Sequence, residues 1–352
     1  MSMRQDKVKV AVAMSGGVDS AVAALLLKKQ GYEVHGFFMR NWNPLSNIPN
    51  DCPWQKDYED VRRVCNHLTI PYSTLNFESE YHKRVLIPFL NEYQNGRTPN
   101  PDILCNKEIK FDVFWNNVKA LGFHYMATGH YSKLENGALV KPKDADKDQT
   151  YFLSALSDRQ LENVIFPLAD LTKTEVREIA KKAGLPNAGK KDSQGICFIG
   201  KLTVRDFLKA NLKIAPGEVK AATGELLGKH EGSELYTIGQ RHIGVAAGGK
   251  TLYVSSKNTK TNTLIMDREE NLYTNKLSFE KAAWSIPVPQ SFQCQVQTRY
   301  RSKSIPAIVS LTNSMELVSG EAELLLPARA ITPGQTIAFY KDSKLIGNAI
   351  IK

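Results

Sequence analysis

Six residues, Ser15-Gly16-Gly17-Val18-Asp19-Ser20, constrain this chain more than any other stretch. They follow an apolar run, Val8 to Met14, that reads as a buried strand. They precede Ala21 to Gln30, rich in Ala and Leu, which reads as a helix closed at Gly31. Tyr32 to Met39 is the next strand, so the loop is the strand-to-helix turn of a βαβ unit. Gly16 and Gly17 put no side chain between the backbone and a ligand. Successive N–H groups backed by a helix N-terminus form an anion cradle, and Ser15 and Ser20 add hydroxyls. Asp19 fits a phosphate site only if a cation bridges it to the phosphate. No Lys follows the glycines, which excludes the Walker pattern. A Gly-rich turn that merely joins strand to helix is the plainer alternative.

The 352 residues are enough for two or three domains. No run of about 18 apolar residues is present, so no membrane span is expected, and Met1 to Lys9 lacks the apolar core of a secretion signal. The net charge of +10 points to a polyanion such as nucleic acid, or else only to solubility. Five cysteines, Cys52, Cys65, Cys105, Cys197 and Cys294, form no C-x-x-C pair. That argues against a disulfide scaffold or zinc site, and for an intracellular protein with one or two working thiols.

Arg40 to Trp54 reads as a long loop at the carboxyl end of the second strand, where ligands bind in open α/β sheets. Met39 at that end either walls an adenine or fills the core. Cys65 belongs to the buried face of the helix Tyr58 to Leu68, and Glu80 to Tyr93 is a helix interrupted at Pro88. Gly96 to Asn106 is rigid and irregular, and a helix from Lys107 to Leu121 follows it. Cys105 then precedes a helix N-terminus, with Lys107 and Lys110 nearby, a setting that favours a reactive thiolate, with a buried structural cysteine as the plainer alternative. Tyr125 to His130 is a strand followed by Gly129, open to a nucleotide, and by His130, a substrate contact or a satisfied loop residue. Lys147-Asp148-Gln149 follows a charged loop, and Leu171 to Ala183 is a helix capped by Thr172 or Thr174. Lys190 to Gly200 surrounds Cys197 with two lysines and small residues, an accessible thiolate setting or a packed strand.

The βα rhythm ends near Asn211. Domains are expected at 1–211, 212–275 and 276–352, the last a small β-barrel of short strands. Within it, Gln297 to Lys303 interleaves cations with Tyr300, the strongest local nucleic-acid pattern in the chain. Thr332-Pro333-Gly334-Gln335 is a turn whose Gln335 side chain can reach a base or backbone.

Taken together the chain resembles the tRNA-specific 2-thiouridylases, within the ATP pyrophosphatase-loop class. The matching stretches are Ala13 to Ser20, Gly96 to Phe111, Ala127 to Tyr131, Lys147 to Leu153, Lys191 to Gly200, Tyr236 to Arg241, Thr298 to Arg301 and Thr332 to Gln335. The resemblance implies an α/β protein: an N-terminal doubly wound parallel-sheet nucleotide-binding domain, a small mostly-β central domain and a C-terminal β-barrel. It implies ATP held by Ala13, Met14, Ser15, Gly16, Gly17, Val18, Asp19 and Ser20, with Met39 and Gly129 near the adenosine. Mg²⁺ would accompany the phosphates, with Asp19 as its one candidate protein ligand and a catalytic residue. The C2 oxygen of a wobble uridine would be adenylated and replaced by sulfur. Cys197 corresponds to the persulfide carrier, loaded by a separate donor protein, and Cys105 to the nucleophile. Asn100, Pro101 and Asp102 correspond to the segment touching the target base, which must be flipped out. His130, Lys147, Asp148, Gln149, Arg299, Tyr300 and Gln335 correspond to tRNA contacts.

The resemblance further implies a monomer bound to the tRNA anticodon region. Asn41 to Lys56 and the basic charge lean toward the mitochondrial branch, with a bacterial cytoplasmic protein as the alternative because no presequence is visible. Two other classes compete. A small-molecule synthetase leaves Cys197 and the basic barrel without a role, and an RNA-binding module with a merely structural loop leaves both thiol settings unexplained.

Overall fold

The computed structural model describes residues 7–42, 53–192, 203–245, 249, 251–313 and 318–352. Cys52, Cys197 and most of the long loop after the second strand lie outside the described residues. The chain divides into two compact units. The first holds Met1–Val85, Pro101–Lys201 and Ser343–Leu345. The second holds Leu86–Asn100, Leu202–Asp342 and Ile346–Lys352.

The first unit is built on a parallel sheet. Strand β1 (Lys9–Met14) pairs with β2 (Glu33–Arg40), Val10 opposite Val34 and Met14 opposite Phe38. On its other side β1 pairs with β4 (Tyr125–Ala127), while β2 pairs with β3 (Tyr72–Asn76). The order is β3-β2-β1-β4, and the short strand Val164–Ile165 completes the edge beyond β4. The chain leaves β1 toward β2 on one side and reaches β4 on the other. That opens a crevice at the carboxyl end of β1, the place where open parallel sheets bind ligands.

Helix α1 (Val18–Lys29) follows β1. It is apolar almost all round, and Ala21 to Ala24 are completely buried, as befits a helix enclosed on more than one face. Helix α2 (Pro53–Leu68) buries Val61, Val64 and Cys65. Cys65 is thus the small core hydrophobe expected, and burial pushes its thiol up to about 12. The interrupted helix runs from Glu78 to Gln94, and its wider turns over His82–Leu86 lie directly before the part that holds Pro88, which has no N–H to donate.

One expectation is overturned. The helix carrying Cys105 starts at Pro101, not Lys107. Pro101–Cys105, Asn106–Phe114 and Trp115–Ala120 follow without a gap, the middle stretch in wider turns. The physical reason is Pro101. Its fixed φ is pre-set for the first helical position and it lacks only an N–H that would go unused there. The irregular stretch therefore ends at Asn100, and Cys105 lies inside the helix.

The second unit contains a four-stranded sheet in the order Tyr253–Asn258, Thr263–Asp267, Gly217–Ala221, Leu226–His230. It also contains a closed barrel of six strands. Their order is Tyr273–Trp284, Val318–Arg329, Ile305–Asn313, Ser291–Gln297, Thr336–Lys341, Lys344–Ile351, and the last pairs back with the first. Phe279, Val296, Val309, Ile337 and Phe339 fill its interior. Helix Val204–Asn211, placed in the first domain by its sequence rhythm, groups with this unit. No helix among the described residues is long and apolar enough to cross a membrane.

Candidate active site

The loop after β1 is wired by its own hydroxyls. Ser15 N–H donates to Ser20 Oγ at 3.2 Å, Gly17 N–H donates to Ser15 Oγ at 3.3 Å, and Ser20 Oγ donates to Gly17 O at 3.2 Å. Gly17 is the N-cap of α1 and supplies no capping side chain, so the first-turn N–H groups gain no cap from it. That is the cradle expected for an anion. Gly16 has φ +74°, and a Cβ there would sit 2.5 Å from the Asp57 carbonyl oxygen, so only glycine fits. Its own carbonyl accepts from Asn187 Nδ2 at 3.0 Å and Lys190 Nζ at 3.3 Å. Lys190 also binds Asp57 at 2.6 Å and Asp60 at 2.7 Å. Gly129 packs its backbone on Asp19 and Ser20 of α1, leaving no room for a Cβ.

Asp19 does not stand alone. Lys173 Nζ donates to both its oxygens, at 2.7 and 2.8 Å, and Tyr131 Oη donates to Oδ1 at 3.0 Å. Lys173 also pairs with Asp192 at 2.8 Å, and Asp192 takes Lys147 at 2.8 Å and Arg177 at 2.7 Å. Burial works to raise the Asp192 pKa. The hydrogen bonds and charges of Lys147 and Lys173 outweigh it and hold this carboxyl well below the usual carboxylate range. Burial and the Asp19 charge push the Tyr131 phenol well above its ordinary value, so it stays a donor.

Lys173 is the first residue of the helix Lys173–Lys182, capped by Thr172 in a reciprocal box with Glu175. A cation in a first helical turn opposes the helix dipole. Such a local violation marks a functional or compensated position, and here the compensation is Asp19 and Asp192. The sequence offered this helix with Thr172 or Thr174 as its cap, of which the structure has Thr172, but gave no role to Lys173, Tyr131 and Asp192. The misplaced charge on Lys173 was the available signal.

Met39 is buried on β2, near the carboxyl end of the sheet. Two residues on, Asn41 is 2% exposed, and neither its Nδ2 nor its Oδ1 has a hydrogen-bond partner among the described residues. A buried amide left unpaired costs about 1–3 kcal/mol, and groups of this kind call for a ligand or a functional reason.

Cys105 is 2% exposed, a buried thiol inside its helix rather than one just before a helix N-terminus. Next to it Asn106, also buried, donates to Phe152 O at 3.0 Å and accepts from Lys110 Nζ at 2.9 Å. His130 packs against Phe111 and Phe166, its Nδ1 2.8 Å from Thr128 Oγ1. Burial, with the nearby Lys110 charge, holds it well below its ordinary pKa and therefore neutral. Gln149 accepts the Tyr131 N–H at 2.9 Å through Oε1, and Asp148 accepts the Thr150 N–H at 2.9 Å. The Lys147–Gln149 run is thus tied by Lys147 into the Asp192 cluster and by Gln149 to the stretch after β4.

Asp102 and Pro101 lie in the first turn of the Cys105 helix, while Asn100 precedes it in the second unit. In that unit Arg299 is exposed and Tyr300 half-buried on the turn after Ser291–Gln297, with the Arg301 guanidinium 5.2 Å from the Tyr300 ring centre. Gln335 Nε2 donates to Thr98 O at 2.6 Å. Cys294 is half-buried on a barrel strand, and burial pushes its thiol up to about 12. No group of three metal-ligating side chains occurs among the described residues.

Three family models match the chain in sequence order. Residues 8–201 match a tRNA methyl transferase HUP domain, 205–268 a tRNA methyl transferase PRC-barrel domain, and 274–351 an aminomethyltransferase beta-barrel domain. Among curated relatives, the tRNA-specific 2-thiouridylases MnmA of Listeria welshimeri and Geobacillus thermodenitrificans are each 45% identical over 363 residues, covering 100% of this chain and 96% of theirs. A 4-thiouridine synthetase solved with RNA and ATP is only distantly alike, at 19% identity and TM-score 0.35 over 58% of this chain and 50% of that one. The full-length identity, the three models in order and the cradle after β1 make one case: the chain belongs to the tRNA-specific 2-thiouridylase family.

Proposed function

We propose that this chain makes 2-thiouridine in tRNA, using ATP to activate the C2 oxygen of the wobble uridine before sulfur replaces it. The observation that carries the reading is the 45% identity to curated 2-thiouridylases along the whole chain. The geometry supports it in detail. The α1 N-terminus faces a site with no capping side chain from Gly17, and Lys173 brings a cation to Asp19. A triphosphate seated on the amides of Gly16 to Ser20 competes with Asp19 for Lys173, because its oxygens carry more negative charge. The released Asp19 can then serve an Mg²⁺ that the phosphates bring, since Mg²⁺ takes few protein ligands. Asn41 offers a free donor and acceptor to the nucleotide.

The sulfur chemistry is assigned to the two thiols that match the family. A donor protein loads Cys197 as a persulfide. The uridine C2 oxygen attacks the α-phosphorus, pyrophosphate leaves, and the base is O-adenylated. Cys105 thiolate attacks the inner sulfur of the persulfide, giving a Cys105–Cys197 disulfide and sulfide. Sulfide adds at C2, AMP departs with the oxygen, and a dithiol reductant must reset the disulfide. In the alternative the persulfide attacks C2 directly and Cys105 assists. Methyl transfer, the term in two of the family-model descriptions, leaves the anion cradle without a use. The protein is expected to act as a monomer on the anticodon region.

The test is direct. Protein, ATP, Mg²⁺, a persulfide source and unmodified tRNA should yield 2-thiouridine and AMP in equal amounts. AMP without need of tRNA would favour a small-molecule synthetase. Bound tRNA with neither product would sink the enzymatic reading.

A further inference from the structure

In the first unit, the Lys173 ammonium has every donor engaged. Its three N–H groups meet Asp19 Oδ1 at 2.7 Å, Asp19 Oδ2 at 2.8 Å and Asp192 Oδ1 at 2.8 Å. The root of the residue is fixed too, since its main-chain N–H donates to Asp144 Oδ2 at 2.7 Å. Asp192 is fixed in turn. Arg177 Nη2 donates to the same Oδ1 at 2.7 Å, and Lys147 Nζ donates to Oδ2 at 2.8 Å. Lys173 and Arg177 are four residues apart on one helix, so both side chains leave the same face and reach one oxygen. Arg177 also donates to the Lys190 carbonyl at 3.1 Å, which ties its guanidinium to the stretch that carries Asp192. The two carboxylates therefore stand differently. Asp19 lies in the first turn of α1, at the cradle, and its further donor Tyr131 is neutral. Asp192 is locked between two further cations.

We propose that Asp192 is a positioning residue for Lys173: it tethers the ammonium by one N–H while the two N–H groups on Asp19 pass to a nucleotide phosphate. This role rests on the proposed use of ATP at the loop after β1. A phosphate on the cradle amides lies beside Asp19, repels it and attracts Lys173, so those two bonds are the ones it takes. The third bond runs to a carboxylate held by Arg177 and Lys147, so it stays and fixes where Nζ can stand. Without that bond the flexible four-carbon stem lets the charge reach the phosphate from no set direction. Asp192 touches no phosphate in this scheme and acts only through Lys173.

The first readout needs no turnover: the rate at which the amine-acylating reagent sulfo-NHS acetate modifies Lys173 in the ligand-free protein, followed by peptide mass spectrometry. An ammonium with all its N–H groups engaged reacts slowly. In Asp192→Asn, Lys173 should be acylated about fivefold faster than in the native protein, whereas Asp192→Glu, which keeps the charge, should stay within twofold. Arg177→Gln loosens Asp192 from the other side, should shift the rate the same way, and serves if Asp192→Asn does not fold. The second readout is tRNA-dependent AMP formation. Asp192→Asn should lower kcat about tenfold with the ATP Kd within threefold, because the ammonium remains but loses its place, and Asp192→Glu should recover most of the loss. Unchanged Lys173 acylation in both Asp192→Asn and Arg177→Gln would overturn the proposal. So would a native kcat in Asp192→Asn, or an ATP Kd weakened tenfold with kcat intact. Faster acylation in the variants of a protein that forms no AMP would instead sink the proposed function and leave Asp192 as the tether of Lys173.

Discussion

Asp192 in the first unit and Lys257 in the second both titrate below their ordinary values, for opposite reasons. Asp192 sits among Lys147, Lys173 and Arg177, which favour its charged form against the pull of burial. Lys257 is pushed down from 10.5 to about 8 by burial, which Glu234 only partly offsets, and its Nζ donates to the Tyr236 carbonyl at 3.0 Å. The signs for stability differ accordingly. A depressed carboxyl contributes stability above its unfolded pKa, lost as pH falls through the folded one. A depressed lysine is a cost at neutral pH that fades as pH rises from about 8 toward 10.5, where the unfolded chain binds more protons. The first unit concentrates balanced charge around one loop, while the second carries a lysine whose charge burial disfavours.

That contrast can be broken at several points. The largest effect should come from Cys105→Ser, which is expected to cut thiolation at least about a thousandfold while tRNA-dependent AMP still forms. Near-normal thiolation would remove Cys105 from the reaction. Lys173→Ala leaves Asp19 and Asp192 short of a partner at a side chain only 13% exposed. It should lower AMP formation about a hundredfold and cost about 3 kcal/mol in unfolding experiments. Retained AMP formation would make the cluster structural only.

Asn41→Ala separates ligand from scaffold by sign. It should raise the KM for ATP about tenfold yet stabilise the ligand-free protein by about 1 kcal/mol, because an unpaired buried amide is removed. A destabilised protein with unchanged KM would give Asn41 back to the scaffold. Lys257→Met should stabilise by at most about 3 kcal/mol at pH 7, less whatever solvent already screens, with activity unchanged. The gain should shrink between pH 8 and 10.5; a gain that grows would contradict the assigned direction. The smallest effect belongs to Arg299→Ala on the exposed barrel turn. It should weaken tRNA binding about threefold and reduce the salt slope by about 1. A titration of Kd against salt would detect neither change if Arg299 touches no phosphate.

Much of the first unit was legible because its signals are local. The run Val8–Met14, two glycines and a helix closed just before Gly31 require only short-range sterics and periodicity, and Thr172 announces its helix by a capping box four residues long. The start of the Cys105 helix was misread for a local reason too. Asn100-Pro101 reads equally as turn punctuation or as a first helical turn, and only the hydrogen bonds that follow decide. Lys173 escaped because its partners are 154 residues upstream and 19 downstream. No period or propensity links such positions.

From sequence alone came the βαβ rhythm, the anion loop at its first turn, the basic β-rich second half and the pair of candidate thiols, since each depends on residues adjacent in the chain. Tertiary structure decided what those residues touch. It gave Asp19 to Lys173 and Tyr131, buried Cys105 within a helix begun by Pro101, and set the Gln335 amide against Thr98. The reason is physical. Propensity acts over one or two turns, whereas a buried charge or amide takes whichever partner the packed chain brings within hydrogen-bond reach.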